Sequence, residues 1–140
     1  MTEIQRDEVQ ELISRYAWAY DVNDKAELAA VFAVDAEYAV SLSDGTLYAT
    51  LSGREAILEF VAGTRDSQPD QRRHVMTNLF TLARTDEMVT VRAYLLLVSN
   101  GASLDEPFTA LGTGVYELDV VRQGGELCFQ RFVLVLDRPF

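Results

Sequence analysis

Cysteine and histidine each occur once in the 140-residue chain, as Cys128 and His74. An internal disulfide is therefore excluded, and no Cys/His set with zinc spacing can be assembled. Such cysteine usage fits a reducing compartment. Basic side chains are also scarce: 12 Lys and Arg stand against 22 Asp and Glu, for a formal net charge of −10. Nucleic acid and anionic membranes both demand clustered cations, so neither is expected as a partner. The unbroken apolar run Ala93 to Val98 is far too short to span a bilayer, and the first eight residues hold no apolar stretch of the kind a leader peptide needs. A cytoplasmic protein is expected, with no metal and no cofactor.

What the chain does have is the means to build a core, since 49% of its residues are hydrophobic. One domain over residues 1–140 is expected. From Glu3 to Tyr20, Val9, Leu12, Ile13, Tyr16 and Tyr20 recur at spacings of three and four, the stripe of an amphipathic helix. Asp24 and Glu27 make a capping box for a short second helix carrying Leu28, Val31 and Phe32 and ending near Asp35. Ser43-Asp44-Gly45 then joins segments 37–42 and 46–51 as a hairpin. A second capping pair, Ser52 and Glu55, opens a third helix with Ala56, Ile57, Phe60 and Val61 inward, followed by a loop from Arg65 to Gln71. Four strands close the chain, at 73–83, 88–98, 108–121 and 127–136. Helices first and long strands afterwards predict an α+β domain, three helices packed into a curved, mostly antiparallel sheet.

Alternation along the first long strand places His74 with Met76, Asn78 and Phe80 on the helix side, and Val75, Leu79 and Ala83 on the other. Three short helices cannot cover both faces of such a sheet. Leu111, Val115, Phe132, Leu134 and Leu136 are expected to leave an apolar outer face that pairs two copies as a homodimer.

His74 is the one side chain whose unperturbed pKa lets it exchange a proton near neutrality. Asp21 falls at the end of the first helix, where the dipole disfavours an anion. It either turns the chain toward Asp24 or accepts a hydrogen bond from His74, as the carboxylate of a triad does. Tyr16 and Tyr20, four apart on the buried stripe, are core phenols or donors aimed at a substrate oxygen. Arg131, mid-strand, is an edge charge facing solvent or an anion clamp. Cys128 reads as a small apolar filler. Gly112 and Gly114 make room or a bend beside a ligand, and Trp18, opposite the apolar stripe, touches an interface or a lid. Phe32, Tyr38, Phe60, Met76, Asn78, Leu95, Leu97, Phe108 and Tyr116 are expected, with Tyr20 and Gly112, to line a mostly apolar pocket.

This order of elements, with Tyr16, Asp21 and His74-Val75-Met76-Thr77-Asn78 in these places, resembles the SnoaL-like branch of the nuclear-transport-factor-2-like (NTF2-like) superfamily over nearly the whole chain. Within that branch it looks most like the group holding scytalone dehydratase, bile-acid 7α-dehydratase and lindane dehydrochlorinase. The resemblance implies an NTF2-like cone and an Asp–His dyad. His74 would be the base that removes a C–H proton and Asp21 the group that orients it. It also implies a substrate contact at Tyr16 and leaving-group assistance at Arg131. The segment Tyr94-Leu95-Leu96-Leu97-Val98 departs from scytalone dehydratase, lacking its second histidine and polar strand residues. The function expected is a cofactor-independent lyase or isomerase, dehydratase- or cyclase-like, acting on a small apolar polyketide, steroid or aromatic. The alternatives are a non-catalytic ligand-binding or assembly module of the same fold, and the small subunit of a ring-hydroxylating oxygenase.

Overall fold

The computed structural model describes residues 3–140; Met1 and Thr2, the start of the polar N-terminal segment, lie outside the described residues. Helix α1 spans Arg6–Val22. Its start is set by Gln5, whose backbone N–H donates to Glu8 Oε2 at 2.9 Å, and its end by Asn23, left-handed at φ 61°. Helix α2 is one short piece, Lys25–Ala30, capped by Asp24 accepting from the Glu27 N–H at 3.1 Å. It stops five residues before the expected end near Asp35. Phe32 already belongs to strand β1, Phe32–Leu42, where it pairs in parallel with Phe129. Leu28, Val31 and Phe32 suit a helix face by spacing, but two β-branched valines around Phe32 suit a buried strand equally, and sheet pairing decides.

The hairpin forms through Gly45 at φ 93°, with Asp44 accepting from the Thr46 N–H at 2.9 Å, and leads into β2, Leu47–Ser52. Helix α3 spans Arg54–Asp66 and begins from Gly53, not from a Ser52 cap. Ser52 Oγ instead donates across the hairpin to Glu37 Oε2 at 2.7 Å, and Gly53 at φ 90° turns the chain into the helix. Four long strands follow: β3 Arg72–Arg84, β4 Met88–Ser99, β5 Thr109–Gln123 and β6 Glu126–Leu136. The six-stranded sheet has the order β2-β1-β6-β5-β4-β3, antiparallel except at β1–β6. Its inner face curves around the helices as an α+β, NTF2-like domain.

Two bulges correct the expected faces. Asn78 sits at φ 59°, and Thr77 opposes Tyr94 while Phe80 opposes Arg92, so β3 carries one extra residue. From there to a second irregularity at Thr81/Ala83 the alternation inverts. Leu79 turns inward onto the core, and Phe80 turns out with half its surface exposed. On β6 an irregularity opposite Asp119/Val120 puts Phe129 and Phe132 both inside. Phe132, Leu134 and Leu136 are therefore core residues and Leu111 packs against the core, so of the five expected there only Val115 stands on the outer face, with Val75, Tyr94 and Leu96.

Candidate active site

Asp21 is placed by the last turn of α1 and is buried. The carbonyls at that helix end are met by donors from two other elements. Arg65, in the last turn of α3, donates to the Tyr20 and Asp21 carbonyls at 3.1 and 3.2 Å, and Gln71 Nε2 donates to the Asp21 carbonyl at 2.9 Å. These contacts offset the negative end of the helix dipole, which would otherwise oppose a carboxylate there. His74, third residue of β3, is held by that carboxylate at two points. Its backbone N–H donates to Asp21 Oδ2 at 3.0 Å, and its Nδ1 lies 2.7 Å from Oδ1. Both side chains are almost fully buried.

A carboxylate only accepts, so the 2.7 Å contact puts a proton on Nδ1, and in the neutral imidazole the lone pair then falls on Nε2. The imidazole is further fixed by aromatic packing, its ring centroid 4.3 Å from that of Tyr20 and 6.2 Å from that of Tyr16.

His74 lines a cavity of about 340 Å³, a small-molecule volume, between the helices and the inner sheet face. Tyr16, Tyr20, Tyr38, Phe60, Leu95, Leu97 and Tyr116 line it as well. Burial pushes the Tyr16 and Tyr116 phenols well above their ordinary range, and the neighbouring phenols add to the effect; Tyr38 and Tyr20 move the same way, burial again the leading cause. These groups remain neutral donors across the physiological range.

Five expected lining residues lie elsewhere. Phe32 is fully buried behind the wall, its ring 6.1 Å from Tyr16. Asn78 spends its position on the bulge and is exposed. Phe108, in the loop before β5, is 65% exposed. Met76 lines a separate shallow groove beside Trp18 and Arg73 that reaches the other side of the dyad, and Trp18 itself stands 64% exposed there. Gly112 seats the ring of Phe140: a Cβ there would lie 2.6 Å from Phe140 Cε1, and that ring borders the cavity.

Arg131 also departs from the expectation of an anion clamp. It stands on the outer face, 2.7 Å from Glu117 and 3.8 Å from Asp119, because the β6 bulge reverses its side relative to Phe129. Cys128 is buried, its thiol pushed up by desolvation.

Residues with no expected place in the pocket complete the wall. Gln68 Nε2 donates to Tyr20 Oη at 3.0 Å, and Arg72 stands beside it at the cavity edge, held by Asp70 at 2.9 Å. Tyr48, Thr64, Leu134 and Leu136 also contribute. Gln68 sits in the stretch read only as a loop, where no periodicity marks a side chain as inward. Among the described residues no three His, Cys, Asp or Glu side chains cluster as a metal site, and no helix is long and apolar enough to cross a membrane.

Residues 4–133 match the sequence pattern of the SnoaL-like domain. The chain belongs to that family. No curated protein matches this SnoaL-like domain at a significant level. Among solved structures it superposes with a TM-score of 0.80 on the beta subunit of a candidate aromatic-ring-hydroxylating dioxygenase from Novosphingobium aromaticivorans, at 13% identity over 96% of this chain and 90% of that one. ActVI-ORFA from Streptomyces coelicolor gives 0.77 at 24% identity, over 94% and 96%. A candidate scytalone dehydratase from Novosphingobium aromaticivorans gives 0.76 at 23% identity, over 94% and 83%. At such identities the likeness establishes the SnoaL-like fold, and chemistry has to be argued from the site.

Proposed function

We propose that this SnoaL-like domain is a lyase or isomerase of the dehydratase or cyclase kind, working on a small, mostly apolar molecule through proton removal from carbon. The two-point grip of Asp21 on His74 at the wall of an apolar cavity carries the reading. His74 Nε2 takes a proton from a carbon next to a carbonyl, and the C–H electron pair moves onto the carbonyl oxygen as an enolate. Asp21 holds Nδ1–H and balances the imidazolium that forms. The Tyr16 phenol, kept neutral by burial, donates toward the developing oxyanion. Collapse of the enolate then either expels a leaving group from the next carbon, a lyase step, or accepts the proton back at another carbon, an isomerisation. Apolar walls exclude water and strengthen each polar contact.

The experiment is deuterium uptake at the α-carbon of a small ketone panel (1-indanone, 2-indanone and 2-tetralone) followed by NMR in D₂O. Wild type catalyses exchange on a panel member, while His74→Gln and Asp21→Asn lose about 10²- to 10⁴-fold in rate with unchanged melting curves. Wild-type rates in both variants overturn the mechanism. The functional molecule in this reading is a homodimer joined through the outer sheet face, supported by the exposed strip Val75, Phe80, Tyr94 and Leu96.

A further inference from the structure

Two residues that line the cavity each carry a buried polar atom without a hydrogen-bond partner among the described residues: the Tyr116 hydroxyl and Gln68 Oε1. Tyr116 is 1% exposed, and its inner-face neighbours across the sheet, Ala93 and Leu134, offer no polar side-chain atom. Gln68 has spent its NH₂ on Tyr20 Oη, so its free atom can only accept. A buried polar group left unpaired is costly to the fold, and its retention in an otherwise greasy wall points to a partner that arrives from outside. The two orphans are opposite in kind, one phenolic donor and one amide acceptor.

We propose that Tyr116 and Gln68 select the substrate by its oxygens: Tyr116 donates to a carbonyl or ether oxygen, and Gln68 Oε1 accepts from a hydroxyl or amine of the same ring-sized molecule. The substrate class is thus an oxygenated cyclic compound with at least one acceptor and one donor, not a plain hydrocarbon. This rests on the reading of the cavity as the substrate site. Neither residue touches the proton that His74 removes, so their part is recognition.

The test measures binding in the His74→Gln protein, with indane, 1-indanone and the 4-, 5- and 6-hydroxy-1-indanones as probes. Binding tightens from indane to 1-indanone and again for at least one hydroxy isomer, by roughly three- to tenfold per added hydrogen bond. Tyr116→Phe removes the first gain and leaves indane affinity unchanged; Gln68→Met removes the second. Because the hydroxyl has no partner in the unliganded protein, Tyr116→Phe also melts no lower than its parent, whereas a structural hydroxyl would cost stability when deleted. The proposal is overturned if Tyr116→Phe binds 1-indanone as tightly as its parent, if no hydroxy isomer binds better than 1-indanone, or if Tyr116→Phe is destabilised. Wild-type exchange rates in His74→Gln would remove the base while leaving this binding pattern standing, so the two readings fail separately.

Discussion

Tyrosine is where the single side chain says most about this molecule. Of six tyrosines, Tyr16, Tyr20, Tyr38 and Tyr116 are buried around one cavity, and desolvation raises each phenol above its ordinary range. A neutral phenol is favoured in the fold, whereas in the unfolded chain it ionises near pH 10. The linked stability is therefore fully present below about pH 10 and is lost as pH climbs beyond it. Urea midpoints are expected to fall steeply from pH 10 upward, after a smaller decline that the raised Cys128 thiol brings from about pH 8.5, with phenolate absorbance at 295 nm incomplete until near-UV circular dichroism is lost. Ionisation of all six phenols at pH 10.5 with native circular dichroism intact would refute this. The same residue scale shows what sequence could reveal of the site. His74 stands out by being alone, and Asp21 by sitting at the wrong end of a helix dipole. Gln68 gave no such signal, because a polar residue in a loop is ordinarily solvated.

Elements were legible wherever one local pattern had no rival. The stripe of α1, the Asp24 cap of α2, the Asp-Gly hairpin and the four long strands were readable because spacing, capping and turn chemistry agreed. Phe32 was ambiguous, since Val31-Phe32-Ala33-Val34 satisfies a helix face and a buried strand alike, and only its partner Phe129, 97 positions away, resolves it. The bulges escaped notice for a different reason: an inserted residue leaves no mark on composition but inverts every side chain beyond it. That inversion moved Phe80 off the helix side and Arg131 onto the outer face. Asn78 makes the β3 bulge possible because its short side chain tolerates the left-handed region. Asn78→Gly should leave stability within about 0.5 kcal/mol, while Asn78→Val should cost roughly 1–2 kcal/mol by urea denaturation. Equal stability of the two variants would mean that the backbone there carries no such constraint.

At the scale of the whole molecule, the curved sheet solves one burial problem and leaves another. Helices fill its inner face; its outer face exposes a connected apolar strip in which Val75 pairs across strands with Leu96, and Tyr94 with Val115. A hollow of about 470 Å³ beside Tyr94 and Leu96 roughens that strip. The charges next to it decide which occupant fits. Arg92 and Arg131 are both bridged to Glu117, and Arg131 also approaches Asp119, so along this edge two cations meet two anions and the border is neutral on a chain of net charge −10, while Asp137 at the hollow accepts from Thr113 Oγ1 at 2.6 Å. A two-fold contact sets the same patch against itself, which repulsion forbids on a strongly acidic surface and permits on a neutral one. A second copy of the chain is therefore the expected cover. Light scattering should return twice the chain mass at micromolar concentration, and Tyr94→Arg, which buries an unpaired cation on each side of the axis, should return a monomer that keeps the cavity and its ligand binding. A wild-type monomer under those conditions would leave the outer face open to solvent and remove the dimer from this account.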